Sequence, residues 1–455
     1  MEIKKNDKFT VTIEDMGEDG AGIGRVDGYI WFVKDALIGD TIEASAMKMK
    51  KNYGFARLVR VITPAKGRVE AKCPVARACG GCQLQAMSYE SQLKFKENKV
   101  YNNLRRIGGF TDIPFLPIMG MDEPWRYRNK AQFPFGRNKN GEIVTGFYAG
   151  RTHDIIPQED CLLGVEENKK ILESIKEYMI ENHVAPYEEE THQGLIRHAL
   201  IRKGFKTGEL MVCVIINGKK LPHSEKLVEK LCRFDGMTSI SYSINTDKTN
   251  VILGKELVNL YGPGYITDYI GDVKYRISPL SFYQVNPVQT EKLYGKAMEL
   301  AELTGKETVL DAYCGIGTIG LIASKHAGKV IGVELNQDAV RDAVQNAKKN
   351  GITNAQFFCN DAGRFMSHMA ARGESADVVF MDPPRSGSTE EFIDAVALMQ
   401  PKRVVYISCG PDTLARDLKV FAKHGYRAKE AWPVDLFGWT EHVETVCLLS
   451  HKAPV

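Results

Sequence analysis

Between residues 8 and 62, apolar and β-branched residues come in short runs: Phe9–Ile13, Ile30–Val33 and Phe55–Val61. Gly-Asp and Asp-Gly pairs break them, and Gly17 to Gly24 forms a glycine-rich loop feeding a strand. Runs and breaks of this kind read as strands and turns. Five short strands in this length predict a small closed β-barrel, an architecture that often carries single-stranded nucleic acid. Residues 195–258 read as α+β, with strand patterns at Leu210–Ile216 and Ile240–Ile244 around a helical Ser224–Cys232. Beyond residue 290 the pattern alternates. Strands are expected at 308–312, 329–334, 355–359, 377–382, 403–408 and 443–449, and helices at 318–326, 337–350, 389–399 and 411–423. Strict alternation predicts a doubly wound parallel sheet. The expected organisation is multidomain: a β-barrel over 1–62, a central α+β domain over 63–278 and a C-terminal α/β Rossmann-like domain over 279–455.

Composition narrows the class. The 455 residues are 44% hydrophobic and 26% charged, the balance of a globular protein. No apolar run reaches the ~18 residues of a spanning helix, and the first residues lack a signal-peptide core; a cytoplasmic setting is expected. Ten cysteines in that setting point to metal binding or catalysis rather than disulfides. The formal net charge is only +3. Yet Ser91 to Lys139 holds ten basic residues against four acidic, a local +6. Within it, Arg126-Tyr127-Arg128-Asn129-Lys130 interleaves cations with an aromatic, as a nucleic-acid surface does; a merely solvated face is the plain alternative. Lys48, Lys50, Lys51, Tyr53, Phe55 and Arg57 would give the barrel a similar face.

The chemistry concentrates at expected strand ends. Asp311 to Gly320 contains Gly315-x-Gly317-x-x-Gly320 between a strand and a helix, where glycines let the backbone approach a ligand. Glu334 ends the next strand, where a carboxylate can hold ribose hydroxyls. This indicates an adenosine-type cofactor and leaves its identity open. Asp311 before the turn leans toward S-adenosylmethionine, which has no pyrophosphate for a helix N-terminus to bind. Asp382-Pro383-Pro384-Arg385 follows the apolar Val378–Met381. Methyltransferases acting on exocyclic amines have an aromatic residue after such prolines, and Arg385 argues against that chemistry. Ser408-Cys409-Gly410-Pro411 places a cysteine before an expected helix start, which would favour the thiolate. Glu441 and Glu444 flank the start of the last strand, and either could be a base. A thiolate, a carboxylate and a sulfonium methyl donor suit methylation of uracil C5: the thiolate adds at C6, C5 becomes nucleophilic, and a base removes the C5 proton. The pyrimidine must leave its stack to be reached.

These residues resemble the TrmA/RumA-type RNA (uracil-5-)-methyltransferase family over nearly the whole chain. The carrying motifs are Ser281-Phe282-Tyr283-Gln284-Val285-Asn286, Asp311 to Gly317, Asp382-Pro383-Pro384-Arg385, Ser408-Cys409-Gly410-Pro411 and His442-Val443-Glu444-Thr445. The resemblance implies a TRAM barrel, a cysteine-rich central domain and an S-adenosylmethionine domain. It implies Cys409 as nucleophile and Glu444 as proton-abstracting base. Gln284, Tyr313, Glu334 and Asp382 match cofactor positions, Asp361 would meet the adenine, and Phe282 would stack on the flipped uracil. Thr318 departs from the family pattern, so no contact is carried over to it. Family members also pack the stretch near 89–107 on the catalytic domain.

Cys73, Cys79, Cys82 and the distant Cys161 form a four-thiolate set with a two-residue chelate step. Spacing leaves zinc and iron–sulfur open; the resemblance implies a [4Fe–4S] cluster. Cys213, Cys232, Cys359 and Cys447 lie in apolar runs and are expected in the core. A TRAM barrel with a cysteine cluster resembles the branch acting on 23S rRNA; the tRNA T-loop is the alternative RNA. No membrane partner is expected, and the set of domains permits a monomer. Two rival readings are a non-catalytic RNA-binding protein and a nicotinamide-dependent oxidoreductase, the latter lacking a hydride-transfer set beside its glycines.

Overall fold

The computed structural model describes residues 3–114, 116–150, 152–158 and 160–451. The chain divides into two compact units. The first comprises residues 1–99, 147–156 and 437–442; the second comprises 100–146, 157–436 and 443–455.

The first unit begins with β1 (Lys8–Met16), β2 (Gly22–Val26), β3 (Tyr29–Lys34), β4 (Thr41–Met49) and β5 (Tyr53–Thr63). They close a barrel in the order β1-β2-β3-β5-β4. Alternate residues point inward, so Val11, Ile13, Trp31, Val33, Ile42, Ala44, Ala56 and Leu58 fill it. Gly24 permits the close crossing of β1 and β2, because a Cβ there would stand 2.5 Å from the Thr12 carbonyl oxygen. Arg68 anchors the following loop on the buried Asp40 carboxylate at 2.6 Å. Helix α1 (Tyr89–Arg106) begins in the first unit and ends in the second. Its Val100 and Leu104 share a buried cluster with Leu310, Ile331, Met366 and Tyr406 of the C-terminal domain.

The central sheet is built from β6 (Lys130–Arg137), β7 (Ile143–Tyr148), β8 (Ile155–Pro157), β9 (Ile196–Lys203), β10 (Leu210–Ile216), β11 (Met237–Ile244) and β12 (Glu256–Tyr261). Its order is β12-β11-β10-β9-β6-β7-β8. Helices α2 (Glu167–Glu181) and α3 (Ser224–Leu231) belong to the same domain; Ile171, Leu172 and Ile175 of α2 are fully buried. The hairpin β13 (Ile266–Ile270) and β14 (Val273–Ile277) follows.

The C-terminal domain runs α4 (Pro287–Ala301), β15 (Thr308–Ala312), α5 (Thr318–Ala323), β16 (Lys329–Glu334), α6 (Gln337–Lys349), β17 (Ala355–Cys359), α7 (Ala362–Ala371), β18 (Val378–Met381), α8 (Glu390–Met399), β19 (Arg403–Ser408), α9 (Pro411–Lys423), β20 (Tyr426–Val434) and β21 (Glu444–His451). The sheet order is β17-β16-β15-β18-β19-β21-β20. Five strands are parallel, as the alternation predicts. The expectation fails at the last strand: β21 runs antiparallel between β19 and β20. The strand β20 and the short return loop are the cause. Only residues 435–443 separate β20 from β21, with no crossover helix, and a parallel return requires one. Helices α4 and α7 were not anticipated either.

Among the cysteines expected in the core, Cys213 and Cys447 are buried, but Cys232 and Cys359 are exposed. Cys232 follows the last turn of α3 and Cys359 ends β17 at its edge of the sheet, so neither has a layer above it.

Candidate active site

The carboxyl ends of the parallel strands gather the site. After β15 the chain turns sharply through Tyr313 and Gly317, both at positive φ (66° and 84°). The Gly320 N–H donates to Asp311 Oδ2 at 2.7 Å, tying the turn to the strand. Asp311 Oδ1 is buried and has no partner in the protein, which leaves an acceptor aimed at a ligand donor. Glu334 accepts from the Gly315 N–H (3.2 Å) and the Asn336 N–H (2.8 Å), so it is fixed beside the same turn. Burial, then the charges of Asp382 and Glu334, push the Asp311 carboxyl up to about 8.

Asp382 follows β18 and is partly buried; burial pushes its carboxyl up to about 7. The loop after it is held by Asp417 of α9, which is 1% exposed. Asp417 accepts from the Ser388 N–H (2.7 Å), the Tyr406 hydroxyl (2.7 Å) and the Arg416 guanidinium (2.7 and 2.9 Å). Arg416 in turn donates to the Ser386 and Ser388 carbonyls. The Tyr313 ring packs on Phe392 at 5.1 Å.

Cys409 follows β19, and Glu444 opens β21. The antiparallel register ends by pairing Ser408 with Thr445, the chain neighbours of Cys409 and Glu444. Glu444 acts electrostatically on the Cys409 thiol. Burial, then Glu444 and Asp382, push the Cys409 thiol up to about 12, against Arg385. Burial, then Asp382, push the Glu444 carboxyl up to about 8, again against Arg385. This reverses the thiolate expected from the helix start at Pro411: two carboxylates in a poorly solvated site outweigh a helix terminus. Glu441, the other carboxylate considered, lies in the first unit beside His442 at 3.5 Å.

The segment Ser281 to Asn286 is fixed from three sides. Arg202 donates to the Ser281 carbonyl (2.5 Å), and Asn129 donates to the carbonyls of Gln284 (3.0 Å) and Val285 (2.8 Å). Asn286 caps α4 through Gln289 and donates to the Leu436 carbonyl. Gln284 is buried beside Tyr294, and the Tyr275 hydroxyl donates to the Thr318 carbonyl at the glycine turn (2.9 Å). Phe282 stands 68% exposed. Asp361 caps α7, accepting from the Arg364 N–H at 2.9 Å. Near it lie features the sequence reading missed: exposed Leu335 after Glu334, with the Cys359 thiol on its carbonyl at 3.3 Å, and the Phe358–Phe365 ring pair at 5.0 Å. Asp417 was missed as well; an acid amid the buried face of Leu414, Ala415, Leu418 and Phe421 was its signal.

Cys73, Cys79 and Cys82 lie in the first unit and Cys161 in the second. All four lie outside any disulfide and are partly exposed. The Gly81 N–H donates to Cys79 Sγ at 3.4 Å, and burial raises the Cys79 thiol, with Cys73 close enough to add to the shift. Among the described residues, no three His, Cys, Asp or Glu side chains are gathered as a single metal ion requires.

Comparison with known proteins agrees with this layout. Residues 245–452 match the model of the tRNA (uracil-5-)-methyltransferase family, and residues 4–59 that of the TRAM domain. An uncharacterized RNA methyltransferase of Halalkalibacterium halodurans is 48% identical over 451 residues, 99% of this chain and 98% of the relative. One of Bacillus cereus is 45% identical over 449 residues, 98% of this chain and 97% of the relative. Among solved structures, the tRNA (uracil-54, C5)-methyltransferase of Pyrococcus abyssi in complex with S-adenosyl-L-homocysteine superposes with a TM-score of 0.79 at 27% identity. That match covers 97% of this chain and all of the other. With its barrel, its methyltransferase sheet and these relatives, the chain belongs to the TRAM-containing family of RNA (uracil-5-)-methyltransferases.

Proposed function

We propose that this enzyme, which methylates uracil C5 in RNA with S-adenosylmethionine, does so with Cys409 as nucleophile and Glu444 as base. The observation that supports the assignment is the antiparallel pairing of Ser408 with Thr445, the neighbours of Cys409 and Glu444, with Asp382 and Arg385 within electrostatic reach of both. Bound S-adenosylmethionine supplies an electrophilic methyl group. The Cys409 sulfur, once its thiol proton has passed to solvent, bonds to uracil C6 and leaves an electron pair on C5, which would take the methyl group as the methyl–sulfonium bond breaks and its electrons stay on the donor's sulfur. Glu444 then accepts the C5 proton, and those electrons expel the sulfur from C6. Gln284, Tyr313, Glu334, Asp361 and Asp382 are the proposed cofactor contacts: the orphaned Asp311 Oδ1 and the raised carboxyls suit a ligand bearing a cationic sulfonium and an ammonium. Phe282, exposed at the end of a rigidly held segment, is the proposed stacking platform for the flipped base. Cys73, Cys79, Cys82 and Cys161 are the proposed ligands of a [4Fe–4S] cluster. Four cysteines outside any disulfide, with an N–H donor on Cys79, fit a thiolate-held group in donor chemistry.

For the RNA we favour 23S rRNA. The tRNA T-loop is the second reading, favoured by the Pyrococcus abyssi enzyme, whose named substrate is uracil-54 of tRNA. Incubation with tritiated-methyl S-adenosylmethionine and unmodified 23S rRNA or tRNA, followed by digestion to nucleosides, separates them. Label in 5-methyluridine from 23S rRNA alone is expected. Label from tRNA alone overturns the substrate and keeps the chemistry; label in neither overturns both.

A further inference from the structure

The basic motif Arg126 to Lys130 sorts itself in the fold. Arg126 is committed to Asp160 by two bonds of 2.6 and 3.1 Å and to the Cys161 carbonyl. Tyr127 is 4% exposed and cannot stack on a base. Arg128 and Lys130 remain, two residues apart. The register of β6 and β9 sets Lys130 directly opposite Arg202.

Like charges opposite each other on antiparallel strands repel, and a buried guanidinium is ordinarily matched by a carboxylate. Arg202 is 3% exposed, and its Nε is buried without a partner. No carboxylate is among the groups acting on Lys130: burial first, then Arg202, then Arg128 push its amine down to about 8. Three cations thus converge with an unfilled buried donor among them. Arg202 also holds the Ser281 carbonyl, one residue before Phe282. The missing partner is an anion, and Arg202 ties its place to the segment that carries the exposed Phe282.

We infer that Arg128, Lys130 and Arg202 form a phosphate site that holds the RNA backbone next to the uridine presented to Phe282. This rests on the RNA-methylation reading and adds to it the group that anchors the flipped nucleotide. A phosphodiester suits the site better than the cofactor's carboxylate. The cofactor's amino-acid end carries an ammonium that three cations would repel, and Asp311, Glu334 and Asp382 already offer that ammonium an acidic wall.

The test compares wild type with Lys130→Gln and Arg128→Gln in the full-length protein, using labelled oligouridylate titrated over a range of salt. Lys139→Gln, an exposed residue of the same basic segment, controls for net charge. Each site variant should weaken RNA binding roughly tenfold at low salt. Each should also lower the slope of log affinity against log salt by about 0.7. S-adenosylmethionine affinity should be unchanged, and the melting temperature of Lys130→Gln should not fall, since an uncompensated charge has been removed. Three results overturn the inference: wild-type affinity and slope in both site variants, an equal loss in Lys139→Gln, or lost cofactor affinity in place of lost RNA affinity. Wild type that binds RNA with the expected salt slope but forms no 5-methyluridine refutes the methylation reading and leaves the phosphate site standing.

Discussion

Burial keeps both Glu444 and Cys409 from ionising easily, and Glu444 adds to the shift of Cys409. With the carboxyl pushed up to about 8 and the thiol to about 12, both rest protonated near neutrality. A base must be ionised to take a proton, so turnover should rise with pH through a limb near 8 that belongs to the coupled group rather than to one residue. A limb near 4.5 in kcat/KM would refute this. Glu444→Gln should lose turnover by three or more orders of magnitude while leaving S-adenosylmethionine binding in place. It should also speed alkylation of Cys409, read by peptide mass mapping, because one of the charges opposing the thiolate is gone. The stability sign follows from the same shifts. Folded Asp311, Asp382 and Glu444 hold protons that the unfolded chain has released, so stability falls as pH rises from about 4 to 8. Glu444→Gln should therefore melt higher than wild type at pH 8, by on the order of 1 kcal/mol, and equally at pH 4.

At the scale of elements, the loop between β18 and α8 depends on α9. Asp417 gathers the Ser388 amide, the Tyr406 hydroxyl and Arg416. Asp417→Asn keeps the shape but removes the charge and some of the acceptor sites. We expect it to destabilise the fold by about 1–3 kcal/mol and to raise the KM for S-adenosylmethionine through Tyr313 and Asp382. A loss of stability with unchanged kinetics would show the clamp to be structural only. In the barrel, Gly24→Ala should lower the melting temperature markedly, because the new methyl meets the Thr12 carbonyl at 2.5 Å, and backbone cannot yield as a flexible side chain can.

At the scale of the whole molecule, the four cysteines come from both compact units. Cys79→Ser should lose iron and its visible absorbance and weaken folding or RNA binding. An iron-free variant with full stability and activity would refute the cluster. The barrel and the five parallel strands were legible because their signals are local: period-two runs, turn residues, and alternation of strand with helix. The chemistry was legible because Asp311, Glu334, Asp382 and Cys409 all sit at carboxyl strand ends, where an open α/β sheet exposes its site. Asp417, Leu335 and the Lys130–Arg202 pair were not, since each acquires its meaning from segments distant in the chain.

The linear order of residues sufficed for the barrel strands, the five parallel strands and the glycine turn after β15, because propensity, periodicity and motif spacing are properties of neighbours along the chain. The direction of β21 was decided in three dimensions. A parallel last strand would have put Glu444 at the amino edge of the sheet, away from Cys409; the short return from β20 reverses it and brings acid and thiol together. Protonation was decided there too. A helix start beside Cys409 argues for a thiolate, but burial among Glu444 and Asp382 keeps the proton on, since desolvation and like charge are set by packing and not by sequence.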